Sequence, residues 1–372
     1  MNIFEKCTNG LGSLYVVYES PVLMEDKKTM GLSHLLEHMI CRSLDDIEEK
    51  FDEHGLTYNA YTGSDEVVFF LSGLEEELVK FKDIFVERIT SYLPRKEDFD
   101  KELPIVLQEY ADSYSDGHDA TYKNFLSMKF GFVGPIGVRD SLENLDFETV
   151  CRFFDTAFSA PTKIIYVGEN PQEFKVPFRL GSQPEKVPHK HIDLTAQIVP
   201  SSIPTFVCTD LIEDDHHYYS GLLTLMLGYG LKSPLYQELR EKRGLCYSVS
   251  AGAQRIGNKL LSMISTSVSE DKAAEAGEAM IQVLNDWEKH LTRDRFNLIL
   301  KNRRIAIKKS DTNPAAAAYS KHLVSSDPKF SLIKNIDKVT YEGAMEYFHR
   351  TMNPANVKWE FLTQADVMKL VE

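Results

Sequence analysis

The sequence lacks any apolar run approaching the roughly 20 residues that a membrane-spanning helix requires, so none is expected in its 372 residues. A basic leader is also missing. The opening Met1-Asn-Ile-Phe-Glu-Lys-Cys-Thr-Asn-Gly has neither a positive region backed by an apolar stretch nor an Arg-rich, acid-poor amphipathic pattern. A cytoplasmic protein is therefore expected. There is no C-x-x-C pair: Cys7, Cys41, Cys151, Cys208 and Cys246 are scattered and odd in number. Such a set reads as reduced thiols rather than a disulfide framework, so any metal must be held by histidines and carboxylates. Nor is there a basic stripe. The net charge is −14, and a nucleic-acid role is excluded on that ground. The short cluster Lys301-Asn-Arg-Arg sits in a mixed-charge helical stretch and reads as a solvated helix face.

What is present is 43% hydrophobic and 26% charged, an ordinary composition for a folded chain long enough for two domains. The acidity is uneven. Residues 1–180 carry 18 Lys+Arg against 33 Asp+Glu, while residues 181–372 carry 24 against 23. Prolines cluster without helical or strand periodicity between about 170 and 192, which marks a boundary between domains 1–180 and 181–372.

The two halves read as diverged copies. In the first, an apolar helix from Gly31 is followed by a charged helix Leu44–His54. Next come the turn Gly55-Leu-Thr-Tyr, a strand Glu66–Leu71 and an acidic helix from Glu75. In the second, an apolar helix from Gly221, a charged helix Pro234–Lys242, the turn Gly244-Leu-Cys-Tyr, a strand Lys259–Thr266 and a helix from Glu270 repeat the order. The matching turns are 189 residues apart, an offset that places His34, Glu37 and His38 opposite Leu223, Met226 and Leu227. Strands such as Leu14-Tyr-Val-Val-Tyr and Lys163-Ile-Ile-Tyr-Val mix with long amphipathic helices, and the connections are not regularly βαβ. Each half is expected to be an α+β layer, a mostly antiparallel or mixed sheet with helices packed on it.

The chemistry concentrates in His34-Leu-Leu-Glu-His38. On a helix the two imidazoles lie one turn apart on the same face, with Glu37 beside them. Together they can chelate one zinc ion while Glu37 takes a proton from water. Leu32, Leu35, Leu36, Met39 and Ile40 surround these groups, and burying polar groups among them without a partner is costly. A catalytic zinc needs a third protein ligand. Glu102 and Glu109, seven residues apart on one face of a second helix, are the candidates. Pro104 lies between them and removes a helix hydrogen bond, so a kink is expected there. His216, His217 and His118 have no chelating partner spacing and read as surface residues.

His34-x-x-Glu-His38 followed by Glu102-x6-Glu109 resembles the pitrilysin/insulinase-type zinc metallopeptidases, in the half-length form of mitochondrial processing peptidase and its bacterial relatives. The resemblance covers nearly the whole chain. It implies Zn2+ held by His34, His38 and Glu109, with Glu37 as general base and Glu102 as a supporting carboxylate. Tyr58-Asn-Ala-Tyr-Thr62 is similar to the family's substrate-pairing edge strand, which implies Asn59, Ala60 and Thr62 as substrate-binding residues. Ser233 to Val249 is similar to the segment whose Arg and Tyr reach the active site from the other domain, here Arg240 and Tyr247. Relatives carry a further strand and a Gly-Ser-Arg-x-Glu stretch before the zinc helix, where this chain has only Pro21–Thr29, so the sheet is expected to be trimmed. Family members enclose substrate within four such domains, which implies a homodimer of this two-domain chain. The expected activity is zinc-dependent endoproteolysis of extended peptides, basic ones above all given the acidic first half. The rival readings are a non-catalytic or scaffold subunit of the same fold, and a zinc hydrolase of non-peptide substrates.

Overall fold

The structure is a computed structural model that describes residues 2–7, 9–114, 122–127, 131, 133–170, 203–209, 212–256, 258–323 and 327–363. The chain divides into two compact units. The first comprises Met1–Ser113, Val133–Ile192 and Lys309–Leu323, and the second Tyr114–Phe132, Asp193–Lys308 and Val324–Glu372. A linear division at residue 180 is modified accordingly: one segment of each half is built into the other half's unit.

In the first unit, five strands, β1 (Asn2–Lys6), β2 (Leu11–Glu19), β3 (Thr57–Thr62), β4 (Glu66–Leu74) and β5 (Lys163–Gly168), form a sheet in the order β1-β5-β2-β4-β3. Only β1 and β5 run parallel. The sheet is thus mixed, and the α+β expectation holds. Strand β2 is covered on both faces, which explains the unbroken apolar run Leu14–Tyr18. Its Tyr15 and Val17 join Val68, Ile165 and Val167 under Ala318 and Leu323. Those two residues belong to the exchanged segment, a helix Pro314–Ala318 continuing as a π-helical turn Tyr319–Leu323. Tyr15 donates to the Ala315 carbonyl (3.1 Å), and Glu5 on β1 pairs with Lys321 and His322, so the segment is tied to the sheet by charge as well as by burial.

Helices α1 (Pro21–Met24), α2 (Leu32–Cys41), α3 (Glu48–Glu53), α4 (Glu75–Thr90), α5 (Lys96–Ser113), α6 (Arg139–Glu143) and α7 (Phe147–Ala157) complete the unit. Between β2 and α2 the chain forms only the single turn of α1.

The second unit has an antiparallel sheet of β6 (Ile203–Thr209), β7 (Val249–Ile256), β8 (Lys259–Val268) and β9 (Trp359–Thr363) in the order β7-β8-β6-β9. The pairings repeat those of the first unit: β6–β8 corresponds to β2–β4, β7–β8 to β3–β4 and β6–β9 to β2–β5. Helix α8 (Tyr218–Gly228) takes the place of α2, and α9 (Ala273–Asn285) that of α4. Their core gathers Leu223, Met226, Leu227, Met280 and Trp287. Lys301–Arg304 lies within helix α10 (Arg293–Ser310), where Arg304 pairs with Asp337 at 3.7 Å, consistent with a mixed-charge surface helix. All five cysteines are free. No helix among the described residues is long and apolar enough to cross a membrane.

Candidate metal centre

The centre is built on α2. The helix begins at Gly31, whose φ of 89° is a left-handed conformation that glycine adopts without strain. A side chain there would also meet the backbone of Ile136 and Gly137 at 3.0–3.1 Å. The buried carboxylate of Glu25 accepts hydrogen bonds from Gly31 N (3.0 Å) and Ser33 N (2.7 Å), satisfying two of the free donors at the helix start. Burial pushes Glu25 up to about 7 against the pull of these donors. Sequence reasoning missed this residue. The available signal was an acidic side chain a few residues ahead of an apolar helix that has no Ser, Thr, Asp or Asn cap.

One turn apart on α2, the His34 and His38 rings stand 4.7 Å apart and nearly perpendicular. Helix α5 packs against α2 and runs through Pro104 without interruption from Lys96 to Ser113. Its Glu109 Oε2 lies 3.5 Å from His34 Nε2 and 3.6 Å from His38 Nε2, and the three donor atoms lie within 4.8 Å of one another. A tetrahedral zinc with bonds of about 2.0–2.1 Å sets its ligand atoms about 3.3 Å apart, so this donor set fits the ion. Despite the proline, Glu102 keeps its aim. It is 5% exposed, and its Oε2 is 3.2 Å from His38 Nδ1, which directs Nε2 of that ring toward Glu109. Arg42, just past the end of α2, places Nε 3.3 Å from Glu102 Oε1 and Nη1 3.2 Å from Asp45, balancing the buried carboxylate. Arg42 too was not singled out from sequence.

Burial, reinforced by the neighbouring His38, lowers the His34 pKa to about 4, so this ring is neutral at pH 7 as a metal ligand must be. Its Nδ1 has no hydrogen-bond partner among the described residues. Burial raises the carboxyl of Glu37, which the Thr62 hydroxyl and His38 oppose. Thr62 on β3 donates to Glu37 Oε2 at 2.7 Å and thereby joins the edge strand to the carboxylate beside the histidines. Next to it, the Ala60 N–H donates to the Asn59 side-chain oxygen at 2.8 Å. Burial pushes the nearby Cys41 thiol far up, which leaves it protonated and outside the donor set.

Arg240 and Tyr247 belong to the second unit and are described there. The Arg240 guanidinium lies 4.8 Å from the Tyr247 ring centre and 5.0 Å from that of Tyr236, and donates to the Tyr247 carbonyl at 3.0 Å. Arg240 sits in a π-helical turn, Gln237–Lys242, and Tyr247 is 82% exposed. The expectation that both His216 and His217 are surface residues is corrected. His216 is exposed, but His217 is 2% exposed, stacked on Phe330, with Nδ1 3.1 Å from the Tyr347 hydroxyl and Nε2 accepting from Asp214 N. It is a satisfied core histidine, tucked under the acidic loop by the turn that opens α8. His118 lies outside the described residues.

The family model for Insulinase (Peptidase family M16) matches residues 14–131, and that for the Peptidase M16 inactive domain matches residues 152–303. An uncharacterized zinc protease of Rickettsia felis is 27% identical over 331 residues, 80% of each chain. A protease from Helicobacter pylori superposes with a TM-score of 0.76 at 16% identity, over 96% of this chain and 95% of that one. An M16-like peptidase from Alicyclobacillus acidocaldarius, so described on its crystal structure as putative, gives 0.74 at 16% identity over 96% and 94%. These structural likenesses show the fold. With the two models of this family together matching residues 14–131 and 152–303, and the repeated sheets to match, the chain belongs to the pitrilysin/insulinase-type peptidase family.

Proposed function

We propose that the chain is a zinc-dependent endopeptidase acting on extended, unfolded peptides. The observation that carries this reading is the convergence of His34, His38 and Glu109 from two helices, with the buried Glu37 beside them. Zinc held by these three residues supplies a Lewis acid and makes a water acidic enough to serve as nucleophile near neutral pH. Glu37 takes the proton of the attacking water and returns it to the leaving amine. Its raised pKa makes it a stronger base, and the Thr62 hydrogen bond orients it. Glu102 fixes the ring of His38, and Arg42 fixes Glu102.

The substrate extends along β3 as an added strand, with Asn59, Ala60 and Thr62 as its contacts. The Ala60 N–H now held by Asn59 is a donor that a substrate carbonyl takes over. Arg240 and Tyr247 are the donors this reading assigns to the negative charge that develops on the carbonyl oxygen. Two copies of the chain close the chamber as a homodimer.

Metal analysis, peptide cleavage and the Glu37→Gln variant test the reading together. Expected are about one zinc per chain, with strong loss in His34→Ala, His38→Ala and Glu109→Ala, and chelator-sensitive cleavage. Glu37→Gln should retain zinc and lose cleavage by roughly a thousandfold. Full zinc content with no cleavage of any unfolded peptide would instead support the scaffold-type reading. Sizing of the purified chain checks the dimer.

A further inference from the structure

The face of the first sheet turned away from α2 ends at β3 in an aromatic pair to which the site assigns no role. Side chains alternate along a strand. Thr62 reaches Glu37, so Tyr61 points to the opposite face, where it packs against the cluster of Tyr15, Val68 and Ala318. There it meets Tyr319 of the exchanged segment edge-on, with ring centres 6.0 Å apart and planes at 72°. Tyr319, a large aromatic side chain, is 47% exposed, while the other residues of 314–323 are buried or half-buried. The Tyr61 hydroxyl is shielded from solvent yet has no hydrogen-bond partner among the described residues. A buried polar group without a protein partner calls for an explanation, an ordered water or a functional role among them. The segment itself is pinned: Ala315 to Tyr15 on β2, and Lys321 and His322 to Glu5 on β1. Tyr319 is therefore held beside β3, the edge strand of the sheet among the described residues.

We propose that Tyr319, backed by Tyr61, is a specificity-determining residue that receives large aromatic or aliphatic side chains of a peptide lying along β3, at the alternate positions facing away from α2. This rests on reading β3 as the substrate strand. A peptide added to β3 continues its alternation, so its side chains divide into two sets. One set meets Glu37 and the metal ligands. The other passes over Tyr61 and reaches the exposed ring of Tyr319, which offers an apolar surface and the edge-to-face packing that aromatic side chains favour.

The test moves one Phe stepwise through an otherwise Ala-rich peptide and measures kcat/KM for wild-type, Tyr319→Ala and Tyr319→Phe chains, with zinc content determined for each. Wild-type should prefer Phe over Ala by about tenfold at every second position near the cleaved bond. In Tyr319→Ala that preference should fall to within about threefold of unity at this parity and persist at the other, while Tyr319→Phe keeps both. Each preference is a ratio within one variant, so a uniform loss of folding or zinc cancels. Alternation that survives in Tyr319→Ala, or that falls equally at both parities, overturns the proposal and leaves the peptidase reading standing. If no peptide is cleaved, the same ratios are read from affinities of Glu37→Gln and its Tyr319→Ala double variant, and only the peptidase reading falls. If no peptide binds, both fall.

Discussion

Helices α2 and α8 occupy the same place in two copies of one fold, yet they carry opposite loads. On α8, Leu223, Met226 and Leu227 are at most 1% exposed and sit inside the second unit's core. The equivalent positions on α2 are His34, Glu37 and His38, with Glu37 at 7% exposure. What differs is the surroundings. Helix α5 brings Glu102 and Glu109 to the α2 face, and β3 brings Thr62, so His34, Glu37 and His38 each have a partner or a place in a donor set. The fold does not require polar groups at this helix; it tolerates them where a second helix and an edge strand compensate. Helix α5 is thus as much a part of the centre as the histidines are.

The comparison breaks most completely when α2 is rewritten as its sister. The combined change His34→Leu, Glu37→Met and His38→Leu should remove all zinc and all cleavage. The metal-free variant should melt above the metal-free wild type, because burial already disfavours charge at His34 and Glu37. Calorimetry with and without chelator measures this, and a lower melting point would mean that the polar face stabilises the fold by itself. The reverse change, Leu227→His, should cost about 2–5 kcal/mol in denaturant unfolding and create no zinc site, since it buries an imidazole without a partner among apolar side chains.

Two smaller changes sharpen the role of the surroundings. Glu102→Gln, or Arg42→Gln acting through it, should weaken zinc binding about 10–100-fold while leaving Glu109 in place. Competition with a metallochromic chelator reads this directly, and unchanged affinity would make the Glu102–His38 contact incidental. Thr62→Val should lower kcat about tenfold with little change in KM, and Thr62→Ser should restore it, because the hydroxyl orients Glu37 through a hydrogen bond to a carboxylate. A change in KM alone would return Thr62 to a simple substrate contact.

The sequence made α2 legible because helical spacing puts His34, Glu37 and His38 on one face among apolar neighbours, a pattern with few other physical solutions. Glu109 became legible only through the family pattern, since spacing alone left Glu102 and Glu109 equivalent. The repeated strand order was legible in outline: the Gly-Leu-x-Tyr turns open β3 and β7 as the duplication implies. The exchange of segments 114–132 and 309–323 was not legible. Periodicity says that a helix has an apolar face but not which sheet it covers. Glu25 was missed because its role depends on where the chain before Gly31 turns back, and His217 because a single local turn carries it under Phe330. Pro104 gave the opposite lesson: a helix that packs along α2 keeps its direction well enough for Glu102 to reach His38.

The last and smallest expected effect concerns the charge difference between the halves. The first half carries 18 Lys+Arg against 33 Asp+Glu, the second 24 against 23. Asp45 pairs with Arg42, Asp46 with Arg88 and Glu77 with Lys80, but these cations are already counted in the difference, so the carboxylate excess stays uncancelled. Glu48, Glu49 and Glu76 remain exposed. Exposed charges more than about 10 Å from a bound peptide are screened at 0.1 M salt, so their contribution lies in attracting substrate, not in gripping it. Lys-rich peptides should therefore be cleaved about threefold more efficiently than Glu-rich peptides of equal length at low ionic strength, through kcat/KM. The advantage should vanish near 0.5 M salt, where the screening length falls to a few ångströms. Equal efficiencies at low salt would show that the acidity serves solubility alone. An advantage that persists at high salt would point instead to a direct carboxylate contact in the chamber.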